Sequence, residues 1–272
     1  MSDLIYARAT MALSLGFHII FAAIGMAMPF LMSLAHRRWL KTGDDDAYRL
    51  TRAWARGVAI IFAVGAVSGT VLSFELGLLW PGFMEHAGPI IGMPFSLEGA
   101  AFFLEAIFLG LYLYGWKKMP PRLHYWSGIA VGVCGVASGA LVIAANGWMN
   151  SPAGFDWNGV SASHIDPWAA MFNEAWLIQA GHMIIAAFEA VAFLVAGIHA
   201  FLWVRGSRDP LHRHALRISL LIAGIAAIAQ PIHGHMTAQS VAVRQPAKLA
   251  AMEAHFETGR RAPLRIGGIP DE

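Results

Sequence analysis

The chain reads as six long apolar stretches separated by polar connectors. They run Thr10–Ala35, Gly57–Trp80, Pro94–Trp116, Tyr125–Ala145, Leu177–Val204 and Ile218–His233. A helix needs about 20 apolar residues to cross a bilayer, and these runs meet or approach that length. The pattern predicts an all-α polytopic transmembrane helix bundle of about six spans. The sixth run is the shortest and its end is ill-defined. From Thr237 the tail turns polar, with AKLAAMEAHFE as a short helical stretch and then RRAPLRIGGIPDE as loop. The expected division is therefore 1–236 as the membrane bundle and 237–272 as an extramembrane loop.

The connectors fix an expected orientation. The first, His36–Arg56, carries Arg37, Arg38, Lys41, Arg49, Arg52 and Arg56. The third carries Lys117, Lys118 and Arg122, and the fifth Arg205, Arg208, Arg213 and Arg217. The second and fourth, Pro81–Met93 and Asn146–Trp176, hold neither Lys nor Arg. Basic residues favour the cytoplasmic side, so both termini are expected outside.

Composition agrees. The 272 residues are 57% hydrophobic and 13% charged, against about 25% charged in a soluble domain. Nothing points to nucleic acid. The net charge of +2 says less than its distribution along the connectors. Cys134, the single cysteine, lies in an apolar run and is expected to be a small core residue. The first run is span-length and lacks a basic leader, so no cleavable signal is read there. Gly65 and Gly69, and Gly128, Gly132, Gly135 and Gly139, are spaced to let helices approach closely.

Against this apolar background a few ionisable residues stand out. Glu98 and Glu105 lie in FSLEGAAFFLEAIFLGLYLYGW. Seven residues apart, they share a helix face about 10 Å from one another. A carboxylate inside a span costs roughly 2.5–3.5 kcal/mol on insertion scales and marks a functional position. Such a group can relay protons; solvation at the interface is the plainer alternative for Glu98. His18 and His182, with Glu75, His233 and His235, fall in the outer half of the expected bundle, and Glu98 joins them. One shared depth points to a common buried site. A neutral imidazole is a ready haem-iron ligand, and a core histidine bonded to a neighbouring carbonyl is the competing reading. Gly181 would leave room for a flat ring beside His182. Glu189 lies on the His182 face as a structural partner or second relay. His199, His212 and His214 are expected to be solvated. No CxxCH or HExxH occurs, which excludes covalent c-type haem and that zinc motif.

GTVLSFELGLLWPGFM, MPFSLEGAAFFLEAIFLGLYLYGW, AANGWMNSPAGF, DPWAAMFNEAW and QPAKLAAMEAHFE occur in this order. Together they resemble subunit I of the cytochrome bd quinol oxidases, from His18 onward. The resemblance implies a bacterial inner-membrane oxidoreductase that passes electrons from quinol through haems to dioxygen. The implied cofactors are a low-spin and a high-spin haem b, with haem d or a third haem b. The implied partners are a subunit II and a small accessory subunit. Carried over residue by residue, His18 matches a high-spin haem ligand and His182 an axial ligand of the low-spin haem. Glu98 and Glu105 match the acids tied to the high-spin pair and proton delivery, and Lys248 and Glu253 match residues of the external quinol loop. Trp148 lies in NGWMNSP and receives no role. Gly234-His235 stands where the family usually has Gly-Asp.

In the family three further spans follow the loop, supplying a methionine and a glutamate ligand. This chain ends at Gly267-Gly268-Ile269-Pro270-Asp271-Glu272, inside the loop. It is therefore expected to be a fragment, a truncated product or half of a split protein, and not a competent oxidase alone. Two other readings compete: a haem-binding or structural membrane module without oxidase activity, and a proton-coupled transporter using Glu98 and Glu105.

Overall fold

The structure is a computed structural model, and it describes residues 3–255 and 257–261. Among these, six helices are long and apolar enough to cross a membrane. They are α1 Asp3–Thr42, α2 Asp45–Leu79, α3 Pro81–Tyr114, α4 Pro121–Asn150, α6 Trp176–Val204 and α7 Leu211–Arg244. Two short helices, α5 Pro167–Met171 and α8 Pro246–Met252, complete the helical set. The expected helix bundle is present. Residues 262–272, the end of the expected external loop, lie outside the described residues.

The helices outrun the apolar stretches that announced them, because helical hydrogen bonding continues into the polar flanks. The basic connector from His36 onward is mostly helix: α1 runs to Thr42 and α2 starts at Asp45. Gly43, at φ +68°, takes the left-handed turn that only glycine adopts freely. Asp44 then caps α2, its Oδ1 accepting from the backbone N–H of Asp46 at 3.1 Å and of Ala47 at 3.2 Å. Helix α3 begins at Pro81, where the missing N–H costs nothing, and runs on through Pro89 and Pro94. Helix α7 continues past His233 to Arg244, a length of about 51 Å at 1.5 Å per residue. It thus crosses the expected boundary at residue 236 without a break.

One departure from the all-α expectation is a two-residue antiparallel pair, β1 Asp156–Trp157 with β2 Ala162–Ser163. The turn between them is Asn158-Gly159-Val160-Ser161, with Gly159 at φ +94°. Asn158 Oδ1 accepts from the N–H of Val160 and of Ser161. An Asn-Gly pair is a hairpin signal that the sequence carried in WNGVSAS.

Helix α1 is the hub: α2, α4, α6 and α7 all pack on it, α3 pairs with α4, and α6 with α7. Large apolar side chains such as Leu13, Val67, Phe103, Ile107 and Ile228 point outward, where lipid replaces water as solvent. The interior mixes large apolar and aromatic side chains with alanine. Its main cluster joins Ala27, Leu31 and Met32 to Leu50 and Trp54 of α2, Tyr112 of α3 and Val131 of α4. A second cluster of Ile90, Ile91, Ala145 and Trp148 closes the opposite end. Glycine makes the close approaches. A Cβ on Gly128 would stand 2.6 Å from the Tyr112 ring, which rests against α4 there. Cys134 is half-buried and unpaired.

Candidate functional site

The singled-out residues occupy three seams between helices rather than one shared chamber. Each finds polar or glycine neighbours on the helix it faces.

The α1/α2 seam holds His18. Its Nδ1 lies 2.9 Å from Ser68 Oγ, and its ring lies over Gly69, where a Cβ would come within 3.0 Å of Cε1. The single hydroxyl proton of Ser68 is directed at the Val64 and Gly65 carbonyls, 3.0 and 3.1 Å away. In a neutral ring, Nδ1–H therefore donates to Ser68 Oγ, and Nε2 keeps a free lone pair. One turn earlier, Ser14 Oγ donates to Glu75 Oε1 at 2.7 Å, while Glu75 Oε2 is buried without a partner among the described residues.

The α3/α4 seam holds both acids. Ser138 Oγ donates to Glu98 Oε1 at 2.9 Å. Glu105 is buried, 7% exposed, and its Oε1 would be 3.3 Å from a Cβ on Gly135 and 3.8 Å from one on Gly25. The glycines of α4 and α1 thus make the space in which a carboxylate fits between three helices. Both acids face α4, as their seven-residue spacing predicts.

The α6/α7 seam holds His182 and His233, ring centroids 6.0 Å apart. Beside Gly181 stands the His233 ring, whose Nε2 would be 2.7 Å from a Cβ there. The arrangement is reciprocal, since His182 Cε1 would be 3.5 Å from a Cβ on Gly234. Gln230 Nε2 reaches His182 Nε2 at 3.2 Å. Gln230 Oε1 and His233 Nδ1 are buried without partners among the described residues, so the seam carries unmet hydrogen-bonding capacity.

The NGWMNSP stretch meets the tail at the opposite end from the α1/α2 turn. Lys248 Nζ donates to Asn150 Oδ1 at 2.9 Å, and Gln245 Nε2 donates to the Asn150 carbonyl. Arg244 pairs with Glu174 at 3.0 Å. Glu253 follows α8 and is half-buried. Trp148 anchors this end, its Nε1 donating to the Ala153 carbonyl at 3.0 Å beside Phe155. Nothing local to Asn150 or Gln245 singles them out, because amides near helix ends are common and only the fold brings the tail back to α4.

The histidines expected to be solvated are not. His199 and His212 are buried and bonded to each other, and His214 lies against Asp44 at 3.3 Å. Asp44 and Asp209 sit at this same end. The Arg38 guanidinium hydrogen-bonded to Asp44, and the Arg49 guanidinium bonded to Asp209, hold both carboxyls below the usual range.

A multi-pass bundle carrying imidazoles and carboxylates on its internal seams is the class that this geometry defines. The chain belongs to the cytochrome bd terminal oxidase subunit I family, whose description matches residues 6–272. It is 37% identical to a Bacillus subtilis protein named as a cytochrome bd menaquinol oxidase subunit I, over 100% of this chain and 62% of that protein. It is 29% identical to the cytochrome bd ubiquinol oxidase subunit 1 of the same organism, over 94% of this chain and 55% of the relative. The bd oxidase structure from Geobacillus thermodenitrificans superposes with a TM-score of 0.91 at 38% identity, covering 96% of this chain and 61% of that one. The chain thus spans between about half and two thirds of the length of these proteins. With its six apolar helices, it is a multi-pass protein of the bacterial inner membrane in a quinol oxidase family.

Proposed function

We propose that this chain serves in a membrane-bound terminal oxidase that transfers electrons from quinol to dioxygen and forms water, together with a subunit II and a small accessory subunit. The observation that carries the reading is the setting of His18, within a chain of this family. Ser68 fixes Nδ1 and leaves Nε2 able to bind iron, the outer-sphere support that haem and metal histidines need. The residues present therefore fit haem. His18 would hold a high-spin haem and His182 would ligate a low-spin haem b, with haem d or a further haem b completing the set. When bound, the haems carry electrons from quinol to dioxygen.

The chain's own residues do the rest. Glu105, in its glycine-walled space, and Glu98, held by Ser138, pass protons toward the high-spin site. Lys248, steadied by Asn150, and Glu253 form part of the quinol-binding loop of residues 237–272, and the bundle of 1–236 bears the haems. The alternation of basic connectors with connectors free of Lys and Arg supports both termini outside and proton intake from the cytoplasm. The assembled complex in membranes should show quinol-driven oxygen uptake that falls at least tenfold in Glu105→Gln. Haem-loaded membranes with no such uptake would instead favour a haem-binding module without oxidase activity.

A further inference from the structure

At the end of the bundle that carries the α1/α2 turn, His36 is fully buried in a layer of aromatic rings. Trp39 and Trp116 both stack near it, with centroids 5.5 and 5.4 Å away and 6.1 Å from each other. Its Nδ1 is 3.0 Å from the Tyr112 hydroxyl. Tyr112 is held in turn by His124, whose ring lies flat on the phenol at 4.6 Å and 12°. His124 Nε2 donates to the Tyr112 carbonyl at 2.7 Å.

Two atoms on one face of α1 are left over. His36 Nε2 and Ser33 Oγ are both buried with no partner among the described residues. They are one turn apart on the helix, close enough for water to bridge them. An unsatisfied buried polar group costs about 1–3 kcal/mol, and a buried water that meets several such groups is the usual remedy. In either tautomer His36 Nε2 lacks a bond, so the demand for water does not depend on where the ring proton sits.

These groups continue a series already described. Glu98, Glu105 and Tyr112 recur every seventh residue along α3 and face α4 in turn through Ser138, Gly135 and Gly128. From Gly128, beside Ser33 Oγ, to Gly135, beside Glu105, is seven residues of α4, about 10 Å. The Phe30 ring lies against Gly132 midway along that stretch, so a file of three or so waters covers the distance when that ring turns aside.

We propose that His36 is the proton-holding residue on the cytoplasmic side that supplies Glu105, acting through water at its Nε2 and at Ser33 Oγ, with Tyr112 as its positioning residue. This rests on the oxidase reading above. With Nδ1–H donated to Tyr112, the bare Nε2 takes a proton that its one bonded water, the one shared with Ser33, has received from the cytoplasmic side, and becomes imidazolium. It then releases that proton to the water shared with Ser33, which passes it toward the Glu105 carboxylate, and the neutral ring is restored. The surrounding Trp39, Trp116 and Tyr125 rings exclude bulk water, so transfer is confined to this route.

The test uses the assembled oxidase in membranes carrying His36→Gln or Tyr112→Phe, the second of which keeps the ring and its packing. Quinol-driven oxygen uptake in H2O and D2O is read beside the reduced-minus-oxidised haem spectrum. We expect His36→Gln to lower kcat roughly tenfold and raise the solvent isotope effect, with the KM for quinol and the haem spectrum unchanged. Tyr112→Phe should show the same isotope signature with a smaller loss of rate. An unchanged rate and isotope effect in His36→Gln overturns the proposal. So does a slower Tyr112→Phe enzyme with an unaltered isotope effect, because that is a structural defect. Absence of uptake from the unmodified complex overturns the oxidase reading, and with it the need for a proton supply.

Discussion

His199 Nδ1 on α6 lies 2.8 Å from His212 Nδ1 on α7, and one external donor sets the direction of the whole bond chain. Trp54 Nε1, 3.3 Å from His199 Nε2, can only donate. His199 Nε2 must therefore accept, and its proton sits on Nδ1. That proton is donated to His212 Nδ1, and His212 Nε2–H then reaches Ser207 Oγ at 2.9 Å. Three helices and a turn are tied by one ordered sequence of bonds.

Removing the middle of that sequence should cost more than one hydrogen bond. His212→Leu leaves His199 Nδ1–H buried without an acceptor, a penalty of about 1–3 kcal/mol. Denaturant unfolding of the detergent-solubilised protein checks this cost. No loss of stability in His212→Leu would mean that His199 Nδ1–H is not donated to His212.

The Asp44 turn gives a pH dependence of known sign. Arg38 holds the Asp44 carboxyl below its ordinary value of 3.8, so the folded state binds its proton less readily than the unfolded chain. Its contribution is complete above the unfolded value and is lost as pH falls through the folded one. Because Asp44 is solvent-accessible and screened, the effect is small. The cap adds to it, and Asp44→Ala should destabilise α2 by about 1 kcal/mol. Thermal unfolding at neutral pH and at pH 3 should show the gap between wild type and Asp44→Ala narrowing in acid. A gap that widens in acid would contradict the assignment.

At the other end, Asn150 should matter through Lys248. Asn150→Ala removes the acceptor that holds the ammonium group at 2.9 Å and leaves the carbonyl contact with Gln245 intact. The expected result is a several-fold rise in the KM for quinol with kcat nearly unchanged, the pattern of lost ground-state binding. Steady-state oxygen uptake against quinol concentration checks it. A fall in kcat at constant KM would place Lys248 elsewhere in the cycle.

Much of the bundle was legible because a bilayer leaves few options for an apolar run: backbone polar groups must be satisfied internally, so each long stretch is a helix. The facing of Glu98 and Glu105 was legible for the same reason, since a seven-residue spacing fixes one side. What stayed hidden was partner choice. Nothing local to His199 or His212 says that they meet, because the contact joins α6 to α7 and Trp54 supplies the donor from α2. Nor does anything local to Gly181 say that the His233 ring lies against it, fifty-two residues further along the chain and on another helix. Asn150 and Lys248 meet only because α7 runs on past its apolar stretch and carries the tail back over α4. Even the Asn158-Gly159 turn, a legible local signal, is outweighed in a sequence dominated by spans.

The central claim is that His18 and His182 each hold haem iron from separate seams of the bundle. It is tested most directly by the reduced-minus-oxidised spectrum of the membrane complex carrying His182→Ala or His18→Ala. His182→Ala should lose the low-spin b signal and keep the high-spin signals, and His18→Ala should perturb the high-spin signals and keep the low-spin one. Unchanged spectra in both variants would contradict the account.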